Sequence, residues 1–166
     1  MGIYDAPKTE RYSLLGLSLA ANASRDFKGP PGKKGIVRDI VVNVTTALVG
    51  TTSVPEIRVG SAANDSSFAR WLLGTSAIAG YGLGDYRARS LCQNAQGRTG
   101  SRAMQLNDFA NHIALEGNNG SNAPAVAADA NGFAYLPADT SFFISGFAGV
   151  GTPAGVIDGY VDIDWI

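Results

Sequence analysis

The clearest periodic signal in the chain is IVRDIVVNVTTALV, where Ile36, Ile40, Val42, Val44 and Leu48 fall on one face of an extended chain and Asp39, Asn43 and Thr45 on the other. Alternation with period two is what a half-buried β-strand requires, because successive side chains point to opposite faces. The closing segment AGVIDGYVDIDWI repeats the pattern, with Ile157, Val161, Ile163 and Trp165 on one side and Asp158, Tyr160, Asp162 and Asp164 on the other. RYSLLGLSLA sets Leu15, Leu17 and Leu19 against Leu14, Gly16 and Ser18, and VPEIRVGS sets Ile57 and Val59 against Glu56 and Arg58. SSFARWLLG and FAYLPADTSFFISGF, the latter with Phe143 and Phe147 in alternation, predict two more strands. SRAMQLNDFANHIALEG fits helical spacing through Leu106, Phe109, Ala110 and Ile113, and strand spacing through Phe109, Ile113 and Leu115. In so β-rich a chain, a strand flanked by irregular structure is the expectation there.

Between the first two strands lies FKGPPGKKG, residues 27–35. It fails as a phosphate-binding loop, because Phe27 stands where the first glycine belongs and Lys34 where a Ser or Thr should hold magnesium. It fails as collagen, because the glycine period stops after Gly29, Gly32 and Gly35. Pro30 and Pro31 fix φ and remove two donors while the glycines allow positive φ, so the segment reads as a turn that exposes Lys28, Lys33 and Lys34 at a rim. Asn119-Gly120 and Asn131-Gly132 are further turn signals.

Strands of this length with Gly and Pro turns, and no alternation of strand with helix, predict an all-β, single-domain β-sandwich over residues 1–166, a jelly roll or related Greek key. Residues 1–10 read as an N-terminal arm. Residues 74–100, where no period survives, read as a long surface loop region within an irregular middle segment, of the kind that is usually functional or docked on something.

Charge changes the picture in two ways. Charged residues make up 16% of the chain, against about 25% in an ordinary soluble domain, which predicts that neighbouring protein covers much of the surface. The formal net charge is −1, so no overall pull on nucleic acid or on an acidic membrane is expected. All 13 basic residues lie at or before Arg102, and half of the 14 acids follow it. Either strand interleaving mixes the two signs within the fold, or the two halves form complementary subunit edges. The N-terminus lacks the basic start and apolar stretch of a signal peptide, and no run approaches the roughly 18 apolar residues of a membrane span. The expectation is a soluble protein made inside a cell, with no membrane partner.

Candidate chemistry is sparse. His112 and Cys92 are each the sole residue of their type, and neither sits in ligand or nucleophile spacing, so no metal site, cofactor or catalytic residue is predicted. Gly80, Gly82 and Gly84 do not complete a dinucleotide fingerprint, since Asp85 occupies the third glycine's place. Asp158, Asp162 and Asp164 share a strand face on which alternate residues lie about 7 Å apart, and fit a carboxylate pair but equally a solvated or interface face. Arg87, Arg89, Arg98 and Arg102, near Tyr81 and Tyr86, fit an acidic protein surface better than nucleic acid, their spacing being irregular.

Taken together, the turn and strand GPPGKKG-IVRDIVVNVTT, then EIRVG, YLPADTSFFISGF and GTPAGVIDGYVDIDWI resemble the jelly-roll decoration, or cement, proteins of tailed-bacteriophage heads. The likeness leaves out the middle from Gly74 to Gly117. It implies a structural, non-enzymatic virion protein on the outer capsid surface that stabilises capsomer junctions, with the major capsid protein and its own copies, as a trimer or dimer, for partners. Tyr4 and Arg11 are the arm's candidate contacts, and Lys28, Lys33, Lys34, the four arginines and the three β-strand aspartates complete the candidate interface. Two rivals stand beside it. One is a tail, fibre or carbohydrate-binding sandwich stacking sugars on Trp71, Tyr81 and Tyr86; the other is a small cell-wall enzyme using Asp158, Asp162 or Asp164.

Overall fold

A computed structural model describes residues 8–73, 81–87 and 135–166. These form β1 (Lys8–Ser13), β2 (Leu17–Ser18), β3 (Ala23–Lys28), β4 (Gly35–Val49), β5 (Glu56–Gly60), β6 (Ala69–Leu72), β7 (Gly84–Arg87), β8 (Ser141–Phe147) and β9 (Ala154–Trp165). The described chain is all-β. One sheet runs β1-β9-β4-β7, with β2 continuing the β1 edge along β9, and the other runs β3-β8-β5-β6. Every pairing is antiparallel. The two sheets share one hydrophobic core, as in a β-sandwich.

The apolar face of β9 is as expected, with Ile157, Val161, Ile163 and Trp165 buried, although Asp162 on the polar face is buried as well. So is that of β5, where Ile57 and Val59 face inward. Three other expectations need correction. On β4 a bulge between Val37 and Asp39 shifts the phase by one residue, so Val37 enters the core and Ile36 does not. RYSLLGLSLA is not one strand: Gly16 takes a positive φ of 64° and breaks it after β1, burying Leu14, Leu17 and Leu19 and leaving Leu15 66% exposed. On β8 it is Phe142 and Ile144 that fill the core, because both phases of SFFISGF carry a phenylalanine and alternation alone does not choose.

Two strands went unpredicted. β3, ASRDFK, is a polar edge strand that includes Phe27 and Lys28, so the turn shrinks to residues 29–34. β7 lies inside the segment read as loop, and β1 claims the last three residues assigned to the arm. The turn itself follows the prolines. Pro30 C=O accepts from Lys33 N–H at 3.3 Å, with Pro31 and then Gly32 at φ 69° in the central positions, the pattern of a type II turn. Gly29 and Gly35 let the turn lie on the Trp165 indole; a Cβ at either would collide with the ring.

The loops sort to two ends. Residues 29–34, 61–68 and 135–140 share one, where Lys34 and Ile166 exchange backbone hydrogen bonds at 3.0 and 2.9 Å and Gly35 pairs with Leu136. Residues 19–22, 50–55, 81–83 and 148–153 share the other.

Candidate functional site

β9 runs between β1 and β4, so its outward aspartates meet the basic residues of both neighbours. Arg11, opposite Asp162 in the register, donates through Nε at 2.8 Å and Nη2 at 2.9 Å to its two carboxylate oxygens. The guanidinium also lies 3.5 Å from the centre of the Tyr160 ring. A forked, planar donor matched to a carboxylate is the stronger form of ion pair. The Asp162 hydrogen bonds raise the Arg11 pKa above its ordinary value, and the field of Asp39 adds to them. Asp39 is the residue opposite Asp162 on β4, and although it lies on the polar face as expected, it is 2% exposed. Asp164 accepts from Thr9 Oγ1 at 2.5 Å and from Arg38 at 3.4 Å. Asp158 accepts the Gly16 N–H at 2.7 Å, and so fixes the turn that interrupts the edge strand.

The three aspartates thus share a face, as read from the sequence, and each has its own local partner. They are built to hold β1 and β4 onto β9. Two carboxylates poised as acid and base across a cleft are not what this arrangement provides. Two residues of the basic half, Arg11 and Arg38, pair within the subunit with Asp162 and Asp164 of the acidic half.

The opposite sheet holds a constellation that the sequence did not reveal. Glu56 on β5 receives Arg58 Nε at 2.7 Å, Arg70 Nε at 2.9 Å and Arg70 Nη2 at 2.7 Å. Burial works against its charge, but the hydrogen bonds of Arg70 and Arg58 prevail and hold its pKa below the ordinary glutamate value. Arg58 also covers the Phe147 ring, 3.6 Å from its centre, and donates to Asn64 C=O at 2.9 Å. Residues 61–68 curl back over this face, where Asn64 N–H donates to Ser145 Oγ at 2.9 Å. Asp65 ties that loop by accepting from Ser61 and Ser66 N–H and from the Ser61 and Ser67 hydroxyls. The only sequence signal was a Glu56–Arg58 pair two residues apart; the Arg70 partner arrives by β5–β6 pairing.

Of the aromatic residues offered as a sugar platform, Trp71 is buried in the core, which corrects that expectation. Tyr81 and Tyr86 stack on each other with centroids 4.1 Å apart and pack against the core. Lys28 and Lys34 are exposed at the rim and Lys33 is half-buried, beside Asp139, whose carboxylate accepts the Gly32 N–H. The backbone of Arg87 ends β7 opposite Val41. Tyr4, Arg89, Arg98, Arg102, Cys92, His112, the strand expected within residues 101–117 and the two Asn-Gly turns lie outside the described residues.

Among the described residues, no three His, Cys, Asp or Glu side chains are grouped to hold a metal ion, and no helix is long and apolar enough to cross a membrane. No family model, no curated protein and no solved structure matches this chain.

Proposed function

We propose that this chain is a jelly-roll structural protein of a phage virion that binds the outer surface of the capsid and stabilises the junctions between capsomers. The observation that carries the reading is the strand pairing. With β1 and β2 counted as one edge, the described residues form eight strands, and the first pairs the eighth, the second the seventh, the third the sixth and the fourth the fifth. A ribbon of that kind, with its strands alternating between two sheets, supports a jelly-roll reading of the sandwich.

Fold alone does not give function, and two further features support the capsid role. The aspartates that an enzyme would need are engaged in holding strands together, and Trp71 is withdrawn from any sugar. The chain is also poor in charge, as suits a surface shared with neighbours. The partners on this reading are the major capsid protein and other copies of the chain.

The test is to add purified protein to shells assembled from the major capsid protein proposed as its partner and follow co-sedimentation and the melting of the particle. Saturable binding with a higher melting temperature is expected. Shells that neither retain the protein nor change their melting would overturn the reading.

A further inference from the structure

Every described residue in the loops at one end of the sandwich, 19–22, 50–55, 81–83 and 148–153, is uncharged, in a chain where 16% of residues carry charge. Two large apolar side chains stand out from this end, Leu83 at 69% and Val150 at 55% exposure. The other end is different: Lys28, Lys33 and Lys34 gather around the turn at residues 29–34, with Asp65 and Asp139 in the adjoining loops.

The uncharged end is a knit surface. Asn22 Oδ1 accepts Ala148 N–H at 2.8 Å. Thr51 and Thr52 N–H donate to Gly151 and Val150 C=O at 3.1 and 2.8 Å, Leu73 N–H to Pro55 C=O at 2.9 Å, and Leu48 N–H to Tyr81 C=O at 3.0 Å. Gly50, Gly149 and Gly151 admit no side chain, because a Cβ at each would strike Ser53 or Thr51. Loops already fixed in this way lose little freedom when a partner covers them.

Resting on the assembly role proposed above, we infer that copies of this chain associate with one another through this end, with Leu83 and Val150 in the contact. Charge decides the occupant. Loops without charge among their described residues leave an ion on a partner buried against them uncompensated, which is costly, whereas the same loops of a second copy bring none. In a contact around a two-fold axis the same patch faces itself, so residue i of one copy meets residue j of the other and j meets i. The lysine rim facing itself would set the exposed Lys28 and Lys34 against their own copies, whereas the described loops of the other end bring no like charges together. Depletion of charge around exposed apolar side chains is also the composition of an interface centre.

The experiment is the particle mass by light scattering at several concentrations for the unaltered chain, Val150→Lys, Leu83→Lys, and Lys34→Glu as a control at the other end. The unaltered chain and Lys34→Glu are expected to be oligomers of one mass. Either end variant should associate on the order of a hundredfold more weakly, since an unpaired charge then lies in the contact. Melting temperature checks that each variant is folded, and if one is not, the other exposed site carries the test. A single-chain mass for the unaltered protein at every concentration, or an unchanged mass for both folded end variants, overturns the inference. Its failure is distinct from that of the capsid role. A single chain that still raises shell melting removes the self-contact alone; end variants that disperse, in a protein that never binds shells, remove the capsid role alone.

Discussion

On β9, Asp162 and Asp164 meet arginines that remain largely in water, with Arg11 and Arg38 side chains 59% and 49% exposed. On β5, Glu56 meets Arg58 and Arg70 at 17% and 24% exposure, and is itself nearly sealed. Both groups fasten neighbouring strands across an outer face, and the Asp162 side chain, 10% exposed, is covered nearly as far as that of Glu56 at 7%; the difference lies in the arginines, which solvent reaches in the first group and scarcely in the second. The difference decides what each contributes. An exposed ion pair adds little, because water competes for both partners. In a covered one the partners depend on each other, and removing either leaves the other charge stranded.

The largest expected effect is therefore Glu56→Ala, which leaves two half-covered guanidiniums without their anion. It should cost about 3 kcal/mol of unfolding free energy, read by denaturant titration. A loss no larger than that of a surface substitution would break the comparison.

Acid should act on the same residue. The folded pKa of Glu56 lies below its ordinary value of 4.5, so its stabilising contribution is complete above that value and drains as the pH falls through the lowered folded one. The stability gap between the unaltered protein and Glu56→Gln should narrow from about pH 7 to about pH 3. A gap that stays constant would mean that the glutamate charge is not what stabilises this face.

The smallest effects belong to β9. Asp162→Asn, which gives up a forked pair, should lower the melting temperature by about 2 to 4 °C. Asp164→Asn, with its longer contact to Arg38, should lower it less. Both effects should shrink in high salt, whereas that of Glu56→Ala should largely persist. Equal salt sensitivity in the two sheets would erase the distinction between them.

The strands legible in the sequence were those buried on one face and wet on the other. β9, β5 and most of β4 announce themselves because apolar and polar residues keep strict phase. β3 and β7 were hidden for a physical reason: as edge strands they bury little, so their residues carry no apolar alternation, and pairing with β8 and β4 defines them. Leu15 was misplaced because one positive-φ glycine resets the phase, and Ile36 because a bulge does the same. The aspartates of β9 were legible as a shared face, but their arginine partners come from strands more than 100 residues away in sequence. Glu56 read as outward and is outward. Its burial comes from Arg58 and Arg70 drawn over it, and strand periodicity carries no trace of that.

The chain has two tryptophans, and the fold gives them different surroundings. Trp165 lies under Gly29 and Gly35 and donates its indole N–H to the Tyr12 hydroxyl at 3.1 Å. Trp71 packs 6.3 Å from Tyr81, with no acceptor for its N–H among the described residues. One indole is hydrogen-bonded beside the lysine turn, and the other is buried near the uncharged end. Each replaced in turn by phenylalanine leaves a chain with a single fluorophore, and the two chains should differ in emission colour. The molecule thus carries its own pair of optical reporters, one for each end, with which to see which end loosens first on heating.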